Sequence, residues 1–258
     1  MTDPVIYEQR DDIVVLTLNA PESRNALGGE VLDGLLTSMR KANSDASCRA
    51  IVIYGGPDYF SSGGNLNNMA AERTLTVARD RVMLGGEISR EIMAGPKPVI
   101  AAVEGYAAGA GFSLAVGSDY LVSSREGKYI CAFAKVGLMP DMGMLWSLTQ
   151  RIGLAKAKHL IASARKVTAK EGFDMGFVDV LTEPGASLDK AIEVAKEFAS
   201  TAPLSFAMMK QAYARGMNSL EDALCYERDV QSSLYLTKDH REAIAAFLEK
   251  RAPVFKGE

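Results

Sequence analysis

Apolar residues along this chain fall into two kinds of pattern: short continuous runs, and longer stretches in which they recur every three or four positions. Ile13 to Asn19 (IVVLTLN) is a run of the first kind, closed by Ala20-Pro21-Glu22-Ser23. It predicts a strand and a turn. Residues 30 to 43 place Val31, Leu32, Leu35, Leu36 and Met39 on one helical face. Ala50 to Tyr54 predicts a buried strand, stopped by Gly55-Gly56-Pro57. A polar loop extends to Gly64, a helical region follows through Met93, and Val99 to Val103 reads as another strand. Such strand–helix–strand alternation predicts an α/β layer with mostly parallel strands. Beyond about residue 186 the strand patterns stop. Leu188 to Ala199, Ser205 to Arg215, Leu220 to Leu234 and Arg241 to Lys250 all have helical spacing. The expected organisation is an α/β core over residues 1–195 and a helical C-terminal region over 196–258.

Composition adds exclusions. The chain is 48% hydrophobic and 24% charged, which argues against disorder. A net charge of −3 with no long basic run gives little pull toward nucleic acid. Cys48, Cys131 and Cys225 are odd in number and far apart, with no CxxC or Cys/His pairing, so neither a disulfide framework nor a zinc site is indicated. The first residues, MTDPVIYEQRDD, do not fit a secretory signal, and the apolar stretches are broken by Gly and Asp. A soluble, cytoplasmic protein with no membrane partner is the expectation.

Candidate chemistry sits in three segments. The first is Phe60-Ser61-Ser62-Gly63-Gly64-Asn65-Leu66, and the second is Gly105-Tyr106-Ala107-Ala108-Gly109-Ala110-Gly111-Phe112. Small residues let a ligand approach the backbone, and a loop entering a helix leaves N–H groups unpaired beside a partial positive charge. One such amide from each loop could hold a developing enolate oxygen. Neither loop matches GxGxxG or GxxxxGK[ST], so a nucleotide-phosphate site is not supported. The third segment is Val-Gly-Leu-Met-Pro-Asp-Met-Gly-Met, residues 136 to 144, holding Asp141, the only acid between Gly127 and Lys170. Flanked by Met139, Pro140, Met142 and Met144, its carboxylate is expected to be partly desolvated, which raises a carboxyl pKa toward the range of a general base. The same Pro-Asp pair followed by Gly143 also reads as a turn or helix cap, and the segment alone leaves both readings open.

Together, FSSGGNL, the block KPVIAAVEGYAAGAGFSLAVGSDY from Lys97 to Tyr120, and VGLMPDMGM resemble the enoyl-CoA hydratase/isomerase (crotonase) superfamily, over nearly the whole chain. The resemblance implies a crotonase fold of repeated ββα units with a helical C-terminal trimerisation region. It implies an acyl-CoA thioester substrate, with CoA as part of the substrate and no separate cofactor or metal, and a homotrimer or dimer of trimers. By position, the oxyanion-hole amides would be those of Gly64 and Ala110. CoA and substrate contacts would come from Arg24, Asn25, Ala26 and Leu27, from Ser62, Gly63, Asn65 and Leu66, and from Phe133 and Met139. Arg24 would lie near the phosphates. Phe247 and Lys250, in the last helix, match positions that reach CoA from a neighbouring subunit.

The departures from the family pattern bear on the chemistry. Hydratases of the superfamily carry two glutamates where this chain has Ser113 and Phe133. Asn65 stands where Asp is usual and Ala110 where Gly is common, but neither change removes a backbone N–H. Asp141 falls on an acidic position that other members use. AFAKVGLMPDMG resembles 3,2-enoyl-CoA isomerases and the phenylacetate-pathway (oxepin-CoA-forming) isomerases, and the ending EKRAPVF supports that subgroup. The implied reaction is a double-bond shift with Asp141 as the single acid/base. The alternatives are a hydratase-like lyase and a non-catalytic acyl-CoA-binding protein. A dehalogenase of the superfamily would need a histidine close to the oxyanion loop, and His159 and His240 are distant in sequence and read as structural. Glu104 and Asp119 read as caps or ion-pair partners, Cys131 as an inert buried thiol, and Trp146, Met142 and Met144 as either acyl-pocket lining or core.

Overall fold

The computed structural model describes residues 3–65 and 74–258. Its main sheet contains β1 (Val5–Arg10), β2 (Ile13–Leu18), β3 (Ala50–Tyr54), β4 (Val99–Val103), β6 (Tyr120–Ser124) and β9 (Val180–Thr182), side by side in that order. β1 is antiparallel to β2, and every other neighbour is parallel. A smaller sheet joins β5 (Tyr106–Ala108), β7 (Lys128–Ile130) and β8 (Lys166–Thr168). Helices α1 (Gly29–Ser44), α2 (Leu75–Met93) and α3 (Ala110–Gly117) follow strands, so the strand–strand–helix repeat is visible in β1-β2-α1 and β4-β5-α3.

The continuous apolar runs have a direct physical cause. Side chains alternate across a strand, and both faces of the main sheet are covered. Val14, Leu16, Ile51, Ile53, Val99, Ala101 and Leu121 point to one face, into the core shared with α1, α2 and α3. Ile13, Val15, Ala50, Val52, Ile100, Ala102 and Val122 point to the other, onto α7 (Ser187–Ala199) through Ala191, Val194, Ala195 and Ala199. The division expected at 195/196 thus falls inside a helix that covers the sheet. Glu104, buried just beyond β4, accepts a hydrogen bond from Ser187 N–H at 3.2 Å. It occupies the positive end of α7, the structural role expected for it.

The remaining helices are α4 (Met144–Ile152), α5 (Leu154–Ser163), α6 (Ala169–Met175), α8 (Pro203–Arg215), α9 (Leu220–Leu234) and α10 (Lys238–Glu249). β1 was not expected. VIYEQR buries little beyond Val5, and its pairing with β2 along its full length makes it a strand. The three-residue strands β5, β7, β8 and β9 are too short to show a period. Among the described residues no helix is long and apolar enough to cross a membrane.

α8 is tied to the sheet by a buried ion pair. Lys210, 3% exposed, donates to Asp119 Oδ2 at 2.5 Å and to Lys97 O at 2.7 Å. The same Asp119 oxygen accepts Val99 N–H at 2.8 Å. Removing one partner of such a pair strands a charge in the interior, a loss of about 3–5 kcal/mol. Asp119→Ala is therefore expected to lose stability in that range by urea denaturation. Adding Lys210→Met should recover a substantial part, and a single variant that loses less than ~1 kcal/mol would show the pair to be dispensable.

Candidate active site

The two glycine loops meet. Phe60 N–H and Ser61 N–H both donate to Tyr106 O at 3.0 Å, and Ala108 N–H returns a bond to Ser61 O at 2.9 Å. The chain before α1 joins the same assembly through Leu27 N–H to Gly63 O at 2.6 Å and Ser62 N–H to Arg24 O at 2.9 Å. Two glycines make the approach possible. A Cβ on Gly63, whose φ is +89°, would lie 2.5 Å from Ala108 O, and one on Gly111 would lie 2.6 Å from Ser61 Cβ. Gly109 (φ +49°) turns the chain into α3, so that Ala110 is its first residue. The Gly64 and Ala110 N–H groups have no acceptor among the described residues, as expected for an edge and a helix start.

Both amides line a cavity of about 410 Å³. Its walls are mainly apolar: Leu27, Leu32, Ala78, Val82, Phe133, Val136, Leu138 and Met142. Among the described residues two charged side chains line it, Asp141 and Arg81. Among the described residues, no group of three His, Cys, Asp or Glu side chains is arranged to hold a metal ion.

Asp141 is not a helix cap. The N-cap of α4 is Gly143, which makes no side-chain cap bond, and Asp141 Oδ1 is buried with no hydrogen-bond partner among the described residues. The turn that presents it is strained. Met142 has φ 49° and Gly143 φ 76°, two consecutive left-handed residues, a conformation unfavourable for methionine. Burial raises the Asp141 pKa above the ordinary carboxylate value, while the charge of Arg81 and a backbone hydrogen bond pull it down. Pro140, Met142 and Met144 are buried as expected. Met139 is not: it is 67% exposed and lies outside the cavity wall, because the chain at that point runs along the surface before turning in at Pro140.

The other expected residues divide into three groups. Leu27, Ser62 and Phe133 line the cavity beside Gly64, Ala110 and Asp141. Gly63, Asn25 and Ala26 are buried behind it, and Asn25 is occupied in holding the loops. Asn25 Nδ2 donates to Gly55 O at 2.6 Å and Phe60 O at 3.2 Å, and Oδ1 accepts Ala20 N–H at 2.9 Å. These bonds hold Arg24 and Asn25 in consecutive left-handed conformations, φ 54° and 53°. Arg24 is exposed, and Asn65 is half-buried. Phe247 and Lys250 sit exposed at the end of α10, away from this cavity in the single chain. Leu66 lies outside the described residues.

Ser113, fully buried, turns its hydroxyl to Gly109 O at 3.4 Å. Burial pushes the Cys131 thiol up to about 12. Trp146 packs toward Gly216, and Met144 is core, while Met142 lines the cavity. His159 is exposed and His240 packs edge-on to Tyr235; neither lines the cavity. Sequence reasoning missed Arg81. It faces the cavity on the stripe of α2 that carries Ala78, Val82 and Gly85, and its Nη2 donates to Leu27 O at 3.1 Å. A single arginine in an otherwise small and apolar helical stripe was the available signal.

Comparison with known proteins agrees with this geometry. The family described as Enoyl-CoA hydratase/isomerase matches residues 8–258. A 2,3-dehydroadipyl-CoA hydratase of Escherichia coli K12 is 32% identical over 254 residues, covering 98% of each chain. A 1,2-epoxyphenylacetyl-CoA isomerase of the same organism is 31% identical, covering 100% of both. Among solved structures, an enoyl-CoA hydratase from Polaromonas sp. JS666 superposes with a TM-score of 0.92 at 33% identity, covering 97% of this chain and 99% of that one.

The two readings of Asp141 predict opposite stability effects. A carboxyl whose pKa is raised by folding binds its proton more tightly in the folded state. Its stabilising contribution is present below the ordinary carboxylate pKa and is lost as pH rises through the folded value. Asp141→Asn should therefore gain melting temperature relative to the unsubstituted protein between pH 4 and pH 8. A helix cap would instead show a loss of about 1 kcal/mol at pH 7.

Proposed function

The chain belongs to the enoyl-CoA hydratase/isomerase family, and from that premise we propose that it is an acyl-CoA isomerase that moves a double bond with Asp141 as its single acid/base. One observation carries the reading. Among the described residues the cavity wall holds one carboxylate, while the two positions where hydratases carry glutamate hold a buried serine and a phenylalanine. Adding water across a 2-enoyl thioester takes a pair of carboxylates, one to position the water and one to deliver a proton to carbon. Ser113, bonded back to Gly109 O, and the hydrocarbon ring of Phe133 cannot supply them.

A 1,3-proton shift needs less. The Asp141 carboxylate takes a proton from the carbon between the thioester and the 3,4-double bond. The electron pair moves through the carbonyl to its oxygen, which the Gly64 and Ala110 N–H groups hold as a dienolate. The protonated Asp141 then delivers the proton two carbons along, giving the conjugated 2-enoyl thioester and regenerating the carboxylate. A pKa raised by burial suits both halves of this cycle. The likeness to a 1,2-epoxyphenylacetyl-CoA isomerase supports a related ring-CoA isomerisation as a substrate variant.

Substrate contacts follow from the same reading. Leu27, Ser62 and Phe133 border the acyl thioester, and exposed Arg24 stands where the CoA phosphates would lie. Phe247, 82% exposed, with Leu248 and Lys250 forms an apolar and cationic helix end suited to a neighbouring subunit's CoA in a homotrimer or dimer of trimers. Active protein sedimenting as a monomer would remove this part of the proposal.

Purified protein should convert 3-enoyl-CoA to 2-enoyl-CoA, followed at the conjugated-thioester absorbance, and should hydrate crotonyl-CoA slowly or not at all. Asp141→Asn should lower isomerase turnover by at least ~10²–10⁴-fold with little change in thioester binding. Efficient hydration without isomerisation would return the chain to the hydratases, and binding with neither reaction would mark it as an acyl-CoA-binding protein.

A further inference from the structure

Asp141 faces an apolar cavity that would ordinarily favour its neutral acid, yet a base must be ionised before it can act. What offsets the burial is visible in the geometry. α2 turns a stripe of Ala78, Arg81, Val82 and Gly85 toward the cavity, one or two helical turns in all, and only Arg81 carries a charge. Gly85 lets the strained turn beside Asp141 come close, since a Cβ there would meet Met142 Cγ at 3.0 Å. The helix that carries Arg81 is thus packed against the turn that carries Asp141. The guanidinium donates from Nη2 to Leu27 O, on the segment that bridges to Gly64. Arg81 therefore joins both halves of the site: it is tethered to the oxyanion side and its charge acts on the carboxylate.

Among the described residues, the other charged groups on the elements around the cavity point elsewhere. On α2, Arg79 and Asp80 are exposed, Glu87 pairs with Arg40 and Arg90, and Glu91 pairs with Arg40. On α1, Glu30 and Asp33 are exposed, as are Lys135 on the 132–136 turn and Arg24 ahead of α1. Arg151, on α4, is bonded to Asp179 and to the end of α3. None of these lines the cavity.

We propose that Arg81 is the positioning residue that keeps Asp141 ionised inside the apolar cavity, and so sets the pH range over which the base works. The role rests on Asp141 being the base, and it concerns a residue that need not touch substrate. Burial and the Arg81 charge act on the carboxyl in opposite directions. Taking the cation away leaves burial unopposed, so the carboxyl holds its proton to higher pH and the acidic limb of the rate profile moves upward. Arginine suits the task because it stays charged across the working range.

The test compares the unsubstituted protein with Arg81→Gln and Arg81→Lys. Isomerase kcat/KM is measured from pH 5 to 9, and the Asp141 carboxyl is titrated directly by 13C NMR with Asp141→Asn identifying its signal. Arg81→Gln should approach the unsubstituted rate at pH 9 and fall roughly tenfold below it on the acidic side, since an opposite charge at close range commonly shifts a carboxyl by a unit or more. Arg81→Lys, which keeps the charge, should restore most of the profile. The carboxyl titration should move the same way in all three, independently of any activity. An unchanged titration in Arg81→Gln overturns the inference. So does a raised KM with an unmoved acidic limb, which would make Arg81 a substrate contact. A normal shift in titration in a protein without isomerase activity would sink the isomerase reading while leaving the Arg81–Asp141 coupling intact.

Discussion

The close approach of two backbone loops is the constraint on which the rest of this structure depends. Ser61 O and Ala108 N–H, with Tyr106 O bridging two successive amides, zip the segment after β3 to the edge of the small sheet. Only a glycine at position 63 fits beneath Ala108 O, and only a glycine at 111 fits over Ser61. The main sheet makes this meeting possible, because β3 and β4 are parallel neighbours and deliver both loops from the same end. Parallel strands put their carboxyl ends together, the region where open α/β sheets commonly build their sites.

From that meeting the remaining geometry follows by packing. α3 starts at the second loop, and its far end is clamped by Arg151, which donates to Val116 O at 3.0 Å and Ser118 O at 2.6 Å. Arg151 belongs to α4, whose preceding turn carries Asp141. Asp141 is thus brought to the same cavity as Gly64 and Ala110 by one helix-to-helix packing, with a guanidinium holding the helix ends. Two strained pairs flank the cavity, Arg24-Asn25 and Met142-Gly143, each in left-handed conformation. Strain of this kind persists where surrounding bonds over-determine it. The three side-chain bonds of Asn25 and the burial of Met142 do so here.

What the sequence disclosed depended on whether a residue's role is local. β3 and β4 were legible to the residue because both faces are buried, so every position in Ala50–Tyr54 and Val99–Val103 had to be apolar or small. Asp141 was legible as an isolated acid in an apolar run, but its buried Oδ1, without a partner among the described residues, and the capping of α4 by Gly143 required coordinates. Asn25 was expected near CoA, and its side chain is instead spent on three backbone groups of distant loops, which no spacing rule reveals. Arg81 was missed for a related reason. Helical periodicity is scored on apolar positions, and an arginine on the stripe reads as a gap rather than as a charge aimed into the cavity.

The division of labour between backbone and side chain explains why such a site can change reaction without changing fold. The oxyanion amides depend on the two glycine contacts and on the sheet, so they survive any side-chain change that leaves Gly63 and Gly111 in place. The acid/base groups depend on single positions. Phe133 lies at the cavity wall, and Ser113 is buried on the first turn of α3, which opens beside it; both are single side chains outside the strands and the two loops. On the proposed isomerase reading, the absence of carboxylates there removes the pair needed to add water and leaves enolate stabilisation untouched. Among the described residues one carboxylate then lines the cavity, that of Asp141, with burial and the Arg81 charge acting on it in opposite directions. If Asp141 is the base, as proposed, a lone carboxylate facing two fixed amides favours reactions that return the proton they remove.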